Sequence, residues 1–439
     1  MNLSHTRIRR PTDFTDKHGF SKKAGIPLQG NADISRESVA IRFIREIRGS
    51  SFPLLGFAAC CVAFGSLPLR AAEAAPATWP TWRGDSAMTG IAAETLAMPL
   101  KPAWKFQATK PIKATAVSDG KLAFFGDGKG TFFALKLEDG TKAWEFAAKD
   151  LIEGSALLVG KDVIFGSVDG VVHCLEAETG KLRWEFTTEA EIRGAANVFE
   201  RPGQEPLILI GSYDNRLYAL KASDGSKVWV VETGNYVNGT PSLVDGVTAF
   251  GGCDGFLYFV NGADGKEKGK VEVSNPIAST VAARNGIAVV GHYGNEVVAV
   301  EAATLKVKWT YKDRDFPFFS SPAITADGLV FAGDRGKRLH CLSLADGEEK
   351  WAFRTQGRVD SSPVVTGSNV VFGSDDGKVY AVGTGDGKAV WSYEIGQPVQ
   401  SSPCIAGGRL LIGADDGVLY AFSPSAASPS AAETPDKKE

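Results

Sequence analysis

The sequence predicts an all-β fold made of eight repeated units of four short strands, and three observations support this prediction. The chain has 439 residues, of which 50 are glycine, about 11% against a usual ~7%. So much glycine without low complexity indicates many tight turns, and therefore many short strands. The pattern Gly-x-x-Asp-Gly-x-x-Tyr-Ala recurs, with variations, every 40–45 residues. A tryptophan precedes most of the opening glycines by 22 residues, which gives each unit a second marker.

Residues 1–74 are interpreted as a basic leader and a secretory signal. An apolar run, Phe52–Leu69, follows the basic part and ends in the small-residue pattern Ala72-Glu-Ala74, as in secreted proteins. Proline and glycine breaks in the run make a membrane-spanning helix the weaker reading. Two alternatives stay open: a start site downstream of Met1, and a lipid anchor at Cys60.

Composition then limits the classes of partner. Residues 75–439 contain 37 Lys and Arg against 45 Asp and Glu, a net charge of −8. An acidic body without a basic patch argues against nucleic acid as a partner. Six cysteines in the whole chain are too few for a disulfide-based fold of this size. We expect a monomer with no membrane span after residue 74.

The repeat register rests on two sets of residues. The opening glycines are Gly126, Gly166, Gly211, Gly251, Gly291, Gly333, Gly373 and Gly413. The matching tryptophans are Trp104, Trp144, Trp184, Trp229, Trp309, Trp351 and Trp391, while one unit has Gly269 instead. Because the tryptophans recur at one repeat position, we interpret them as packing between neighbouring units rather than as a ligand-stacking stripe.

One unit can be read as four strands in order. The predicted strands are Ser361–Val365, Asn369–Gly373, Lys378–Val382 and Ala389–Tyr393, and Asp-Gly turns follow the second and the third of them. Four antiparallel strands in about 40 residues, repeated around an axis, predict a β-propeller.

The two ends of the repeat region predict how the ring closes. The last unit stops at Phe422, after its third strand, whereas Pro102–Phe106 resembles a fourth strand without the first three. We expect this N-terminal strand to complete the last blade, so that the chain ends leave no open seam. The predicted boundaries are a leading segment over 75–101, an eight-bladed propeller over 102–422 and a disordered tail over 423–439.

Several segments carry a resemblance to a known family. Leu135–Trp144, Leu175–Trp184 and Ala381–Trp391 resemble the tryptophan-docking motif of the pyrroloquinoline-quinone-type (PQQ-like) propellers, and the resemblance covers residues 102–422. Trp79–Gly84 is similar to the start of secreted bacterial propellers of this type. The family implies two functions: quinoprotein dehydrogenases with the quinone and Ca²⁺ on the propeller axis, and cofactor-free propellers typified by the lipoprotein of the outer-membrane barrel-assembly machinery. Fold alone does not choose between them.

The start of each first strand is expected to line the axis. The residues at this position are Ile112, Glu153, Arg193, Asn238, Ile277, Phe319, Asp360 and Gln400. In the quinoprotein alternative, the resemblance implies that Glu153, Asn238 and Asp360 lie near Ca²⁺, that Arg193 lies near the quinone, and that Asp360 is the catalytic base. Residues 75–439 lack the adjacent cysteine pair of the methanol-type enzymes and a Cys-x-x-Cys-His haem site. We therefore expect no cofactor, and PQQ with Ca²⁺ only in this alternative.

The favoured function is a secreted, non-catalytic scaffold that binds envelope or outer-membrane proteins, in the periplasm or on the periplasmic face of the outer membrane. The segment Tyr311–Phe319 combines aromatic and charged residues, as interface hot spots do. The candidate partner contacts are Arg314, Phe316, Phe318 and Phe319. The alternative is that these rings pack beneath the loop. A carbohydrate- or polymer-binding module is a third function left open.

Overall fold

The structure is a computed structural model, which describes residues 77–314 and 316–425. The predicted secretory signal, the candidate lipid anchor Cys60 and the part of the predicted tail beyond Ser425 lie outside the described residues. The described residues form 32 strands and no helix. Accordingly, no helix among them has the length and apolar character to cross a membrane.

The strands form eight four-stranded antiparallel sheets, each of which is one blade. The first strand of the chain, β1, spans Leu100–Gln107. Blade 1 then consists of β2 (Val117–Ser118), β3 (Leu122–Gly126), β4 (Thr131–Lys136) and β5 (Lys142–Ala147). Blade 2 consists of β6 (Leu157–Val159), β7 (Asp162–Gly166), β8 (Val171–Glu176) and β9 (Leu182–Thr187). Blade 3 consists of β10 (Asn197–Phe199), β11 (Leu207–Ser212), β12 (Arg216–Lys221) and β13 (Lys227–Glu232). Blade 4 consists of β14 (Ser242–Val244), β15 (Val247–Gly251), β16 (Phe256–Asn261) and β17 (Glu267–Glu272).

The second half of the ring repeats this order. Blade 5 consists of β18 (Ala282–Arg284), β19 (Ile287–His292), β20 (Glu296–Glu301) and β21 (Lys306–Lys312). Blade 6 consists of β22 (Ala323–Ile324), β23 (Leu329–Gly333), β24 (Arg338–Ser343) and β25 (Glu349–Arg354). Blade 7 consists of β26 (Val364–Thr366), β27 (Asn369–Gly373), β28 (Lys378–Gly383) and β29 (Ala389–Glu394). Blade 8 holds β30 (Cys404–Ala406), β31 (Arg409–Gly413) and β32 (Val418–Pro424). The predicted eight-bladed all-β architecture is confirmed.

The fourth strand of blade 8 comes from the other end of the chain. Strand β1 pairs antiparallel with β32, from Leu100 opposite Pro424 to Gln107 opposite Val418. The sheet order is β1-β32-β31-β30, so the structure agrees with the predicted closure. Because β1 covers the outer edge of β32, the two ends of the repeat region are joined by a strand ladder.

The repeated tryptophans join neighbouring blades in one way. In each case the indole Nε1–H donates to a backbone carbonyl of the following blade, at 2.9–3.2 Å. The seven donors are Trp104, Trp144, Trp184, Trp229, Trp309, Trp351 and Trp391. Below the Trp104 ring lies Gly140, whose φ is +74° and where a Cβ would stand 2.6 Å from the indole. The motif glycine therefore serves both the turn and the docking of the ring.

The unit without a tryptophan compensates through the next blade. Gly269 stands at the tryptophan position in β17, and the following blade has Leu305 in place of the usual turn glycine. A Cβ on Gly269 would lie 2.5 Å from Cδ1 of Leu305. A leucine from the neighbouring blade thus packs against the position that an indole occupies elsewhere.

Apolar side chains form clusters between neighbouring blades. One cluster joins Ile164 and Val172 of blade 2 with Ile208 and Tyr218 of blade 3, and another joins blades 5 and 6. Burial of apolar surface stabilises a fold by about 25 cal/mol per Å². Each blade therefore depends on both of its neighbours for its core.

Replacement of Trp144 tests this docking. Its ring packs against Phe124 and Phe132, with centroids 5.9 and 6.0 Å away, and its Nε1–H donates to the carbonyl of Ala177. We expect Trp144→Ala to lower the free energy of unfolding by about 3 kcal/mol, as for large core aromatics. The matched control Trp144→Phe keeps an aromatic ring but loses the hydrogen-bond donor. It should lower the free energy of unfolding by about 1 kcal/mol, which is clearly less than the loss in the alanine variant. Urea denaturation measures both, and an unchanged midpoint for the alanine variant would show that the docking role is wrong.

Candidate functional site

The antiparallel order of the strands gives the ring two distinct faces. We call the first the mouth: it carries the loops that lead into each first strand and the turns between second and third strands. The opposite face, which we call the back, carries the turns between first and second strands and between third and fourth strands. A segment of the chain before β1 lies across the back, whereas the mouth is formed by the loops of the blades themselves.

The back is covered by residues 77–98, which we call the arm. Its backbone bonds to one blade after another around the ring. The carbonyl of Ala77 accepts from the amide of Gly407 in blade 8, and Trp79 exchanges two backbone bonds with Ser118 in blade 1. The arm then contacts the remaining blades through amide-to-carbonyl bonds, which are Leu158 to Pro80, Leu243 to Ser86, Ala283 to Ala87, Ile324 to Thr89 and Val365 to Gly90. In blade 3 the link is a side-chain bond, from Nδ2 of Asn197 to the carbonyl of Ser86.

One arginine of the arm closes the axis from the back. Arg83 is fully buried, and its Nη1 donates to the carbonyl of Ser362 at 3.1 Å while Nη2 donates to the carbonyls of Pro363 and Pro322. A Cβ on Gly90 would stand 2.2 Å from Nη2, so this glycine makes room for the guanidinium. Burial lowers the pKa of Arg83 to about 9, against the opposing effect of Asp85. The group therefore stays charged at neutral pH.

Above Arg83, a ring of hydroxyl groups joins the first strands of the blades. In most blades a backbone amide donates to the hydroxyl at the same repeat position of the next blade, at 2.9–3.2 Å. The acceptors are Thr115, Ser155, Thr240, Thr280, Ser321, Ser362 and Ser402. The amide of Ser402 donates to Thr115, so this belt also passes from the last blade to the first. Ala195 of blade 3 has no hydroxyl and interrupts the belt once.

The mouth side of the axis contains a small polar cavity of about 190 Å³. Trp82 of the arm and the hydroxyl belt line its inner part. The lining also includes Glu153, Arg193, Asn238, Phe319 and Asp360, all of which come from the position that the repeat alignment places on the axis. The structure thus brings the four candidate cofactor-binding residues to one cavity. In blades 1 and 5 the expectation was wrong by one residue, because Lys113 and Ala278 line the cavity whereas Ile112 and Ile277 are buried in the core.

Their charges are already paired. Arg193 donates from Nη1 to Glu153 at 2.5 Å and from Nε to Glu191 at 2.7 Å. Burial opposes the charge of Arg193, but the two carboxylates outweigh it and raise the pKa of the guanidinium. On the other side of the cavity Arg335 makes a two-pronged ion pair with Asp360, with Nη2 2.8 Å and Nε 3.0 Å from the carboxylate.

The uncharged member of the set is held in the same way. The amide oxygen of Asn238 accepts from the hydroxyl of Tyr213 at 2.9 Å, and its Nδ2 donates to the carbonyl of Ala278 at 3.3 Å. Each of the four residues expected from the sequence therefore has a partner in the protein, whereas Nε1 of Trp82, in the lining of the same cavity, is buried without a hydrogen-bond acceptor among the described residues.

This donor set does not fit a quinone–Ca²⁺ site. Ca²⁺ takes six to eight oxygen ligands around one point, whereas Glu153 and Asp360 are each occupied by an arginine. Among the described residues, the one group of three side chains with metal-ligand atoms close together lies elsewhere, at Asp313, Asp334 and His340. The cavity is also smaller than the ~300–1,000 Å³ of usual small-molecule pockets. We derive no reaction step through the quinone.

The Asp334 and His340 pair belongs to a buried hydrogen-bond network. His340 Nε2 lies 3.2 Å from Asp334, and Nδ1 lies 3.0 Å from Glu349, which also accepts from the hydroxyl of Tyr311. Burial opposes protonation of His340, but the hydrogen bonds to both carboxylates outweigh it and raise its pKa. The bond to His340 also lowers the pKa of Glu349 to about 2. Asp313, the third member of the group, pairs with Arg338 at 3.0 Å, and both ring nitrogens of His340 are bonded to carboxylates, so these side chains form a hydrogen-bond and ion-pair network.

In the loop that leads into blade 6, one of the partner contacts expected from the sequence is wrong. Phe318 is fully buried and packs against Tyr311 and His340, so it lies beneath the loop and is unavailable to a partner. Phe316 and Arg314 are exposed, while Phe319 is half-buried and lies on the cavity wall. The loop therefore divides its three rings between the core and the mouth.

Aromatic side chains form an arc along one half of the mouth, on blades 3 to 6. The sequence analysis had identified only the two phenylalanines of this arc as candidate contacts. We define this aromatic arc as Tyr213, Tyr236, Tyr293, Phe316 and Phe319. Tyr213 and Tyr236 stack with centroids 4.6 Å apart and planes 1° apart. Tyr293 lies 4.4 Å from Phe319, which in turn lies under the Arg335 guanidinium at 3.6 Å.

The missed members had a sequence signal. Two of the three missed tyrosines, Tyr213 and Tyr293, stand two residues after the opening glycine of their units, as does Arg335, which lies over Phe319. The complete set at this position is Gly128, Val168, Tyr213, Cys253, Tyr293, Arg335, Asp375 and Asp415. A position that varies this widely between units has no common packing role, and it could have been chosen as a candidate contact position on that ground.

Comparison with known proteins places this geometry in a family. A family model described as outer membrane protein assembly factor BamB matches residues 99–198, 168–312, 213–352 and 354–428. BamB from Moraxella catarrhalis superimposes with a TM-score of 0.63 at 16% identity, covering 74% of this chain and 100% of that chain. Quinohemoprotein alcohol dehydrogenase from Comamonas testosteroni gives 0.68 at 15% identity, covering 80% and 81%. The computationally designed protein Ika8 gives 0.65 at 14% identity, covering 74% and 99%. At these identities the solved structures show a shared fold alone. No curated protein matches the chain by sequence.

Replacement of Arg83 tests the closure of the back. Arg83→Ala would leave up to three buried carbonyls without their donor, at roughly 1–3 kcal/mol for an unsatisfied buried group. We expect a loss of about 3 kcal/mol in unfolding free energy, measured in urea, together with new protease cleavage within residues 77–98. Arg83→Lys, which retains a charged donor, should lose less. If the alanine variant keeps both the stability and the protease resistance of the wild type, the arm does not depend on this contact.

Proposed function

The chain belongs to the family of the outer membrane protein assembly factor BamB, and from this premise we propose that it is a non-catalytic, protein-binding scaffold of the bacterial cell envelope. One observation supports the proposal most directly: the four axial residues that a quinone site would use all have partners within the protein. Glu153 and Asp360 are paired with Arg193 and Arg335, and Asn238 is held by Tyr213. A catalytic site needs a positioned group that is free to act on a substrate, and this set is engaged in holding the mouth loops.

The mouth is the surface that this reading assigns to binding. The arm covers the back, whereas the mouth presents the exposed rings of Tyr236, Tyr293 and Phe316. Aromatic residues and arginine dominate the hot spots of protein interfaces. Of the contacts expected from the sequence, Arg314, Phe316 and Phe319 remain candidates at this face.

The family and the leader expected from the sequence support a proposal about the site of action. We propose export across the inner membrane and residence in the periplasm or at the periplasmic face of the outer membrane, with outer-membrane assembly proteins as partners. The same proposal includes cleavage of the signal after Ala74, with a lipid anchor at Cys60 as the alternative, and both sites lie outside the described residues. We propose a monomer, since one chain closes the ring without a strand from a second copy.

Affinity capture tests the scaffold function. A tagged chain expressed in its own host is isolated from detergent-solubilised envelopes, and co-purifying proteins are identified by mass spectrometry. We expect an outer-membrane assembly protein in fixed stoichiometry. Joint replacement of Tyr236 and Tyr293 by alanine should reduce it at least tenfold, whereas Val390→Ala, an exposed apolar side chain on the outer strand of blade 7, should leave it unchanged. Recovery without any envelope protein, or equal recovery by the double variant, would contradict the proposal.

The scaffold function and the quinoprotein alternative make opposite predictions about the axis, and the scaffold function predicts that it does not bind the quinone. Calorimetric titration of the protein with pyrroloquinoline quinone, with and without Ca²⁺, should give no Ca²⁺-dependent heat, because the two axial carboxylates are held by arginines. Tight Ca²⁺-dependent binding that Asp360→Ala abolishes would establish an active site and overturn the scaffold function. The carbohydrate-binding alternative stays a prediction without a specific observation in its favour.

A further inference from the structure

We propose that the mouth binds an extended peptide segment whose apolar side chains lie on the aromatic arc and whose Lys or Arg side chain reaches Asp375 and Asp415. This inference rests on the proposed scaffold function and specifies the chemistry of the partner. It follows from one repeat position on the rim of the mouth, two residues after each opening glycine. Around the ring this position changes from Tyr213 and Tyr293 in blades 3 and 5 to Asp375 and Asp415 in blades 7 and 8.

The aromatic half of the rim is exposed and well ordered by its own contacts. The exposed large apolar side chains of residues 77–314 and 316–425 include only three aromatic ones, Tyr236, Tyr293 and Phe316, at 45, 49 and 41% exposure. All three are on the mouth. The remaining five lie on outer strands and are Leu182, Val228, Val230, Val307 and Val390.

Stacking limits the freedom of these rings before any partner arrives. Tyr236 lies flat on Tyr213, and Tyr293 rests on Phe319. Rings that are already held lose little conformational entropy on binding, which favours affinity. The arc therefore offers a preformed apolar surface across four blades.

The acidic half of the rim differs from the axis below it. Whereas Asp360 has its arginine, neither Asp375 nor Asp415 has an ion-pair partner within 4.0 Å among the described residues. Asp375 accepts a hydrogen bond from Nε2 of Gln400 at 3.2 Å. The Oδ1 atom of Asp415 is buried, and no donor in the described part of the chain reaches it.

The charges around these two carboxylates favour an added cation. Burial raises the pKa of Asp375, and the carboxylates of Asp360 and Asp415 raise it further, although Gln400 and Arg358 act in the opposite direction. Burial also raises the pKa of Asp415, with Asp416 adding to it and Lys113 opposing it. Burial therefore disfavours the charged form of each carboxylate, and an ammonium or guanidinium group that donates to either one would stabilise that form.

An extended segment suits the arrangement of the two halves, because blades 3 and 4 stand across the eight-bladed ring from blades 7 and 8. A strand-like peptide presents alternate side chains to opposite sides, and recognition of extended peptides assigns specificity to pockets for those side chains. A segment that crosses the mouth from blade 3 to blade 7 would place apolar side chains on the arc first and a basic side chain at Asp375 and Asp415.

Three labelled octapeptides test the inference on the protein purified from the envelope of its own host. They share Leu and Phe at alternate positions and differ at one central residue, which is Arg, Ser or Glu. Fluorescence anisotropy should show the Arg peptide binding about tenfold more tightly than the Glu peptide, with the Ser peptide between them. Asp375→Asn with Asp415→Asn should remove the preference for Arg while leaving the Ser peptide unchanged. Tyr236→Ala with Tyr293→Ala should weaken all three peptides about tenfold, and Val390→Ala should weaken none.

The outcomes separate this inference from the scaffold function. Equal affinities for the Arg and Glu peptides, or no binding of any peptide, would overturn the inference, and the scaffold function would still stand if affinity capture remains dependent on Tyr236 and Tyr293. If the protein prefers the Arg peptide but captures no envelope protein, the inference is supported and the scaffold function is contradicted. A concentration-dependent dimer in sedimentation that Tyr236→Ala abolishes would assign the mouth to a second copy of the chain and overturn the inference.

Discussion

The pairing of β1 with β32 is the constraint on which the rest of this structure depends. Each blade buries its apolar side chains against two neighbours, so an open ring would leave two blades with one uncovered face each. Strand closure and the bond from Ser402 to Thr115 join blade 8 to blade 1 at the outside and at the axis. Because the mouth is assembled from loops of all blades, its geometry exists only while the ring is closed.

Repetition divides the residues of each unit into two groups. Some repeat positions have one packing role in every blade, such as the docking tryptophans and the hydroxyl belt, and their residue types barely change. The exception is informative, since loss of the indole at Gly269 is matched by Leu305 in the neighbouring blade. Rim positions have no such shared role, and they carry aromatic residues on one side and carboxylates on the other.

Most of the fold could be predicted because the same pattern of residues recurs in all eight units. The strand order, the docking role of Trp144 and the closing strand all follow from one unit and its two incomplete ends. The axial position of Glu153 and Asp360 also followed from the strand starts. Their ion pairs did not, because Asp360 is held by Arg335, a residue from the neighbouring blade at a different repeat position.

Two features had no repeat to predict them. The arm occurs once in the chain, so no repeat predicts its path. The residues Trp79–Gly84 alone do not indicate that Arg83 donates to three carbonyls of blades 6 and 7. In the loop before blade 6, Phe318 and Phe319 are adjacent and chemically identical, yet one faces the core and the other faces the cavity. Alternation along an extended segment separates them, and the sequence did not say which of the two points inward.

The central claim is that the mouth, and not the back or the outer strands, is the working surface. Photo-crosslinking in living cells tests it most directly, with a photoreactive phenylalanine analogue placed singly at Tyr236, Tyr293, Val390 and Ala92 of the arm. The account predicts adducts with an outer-membrane protein from the two mouth positions and none from Val390 or Ala92. Adducts from the arm or the outer strand, with none from the mouth, would contradict it.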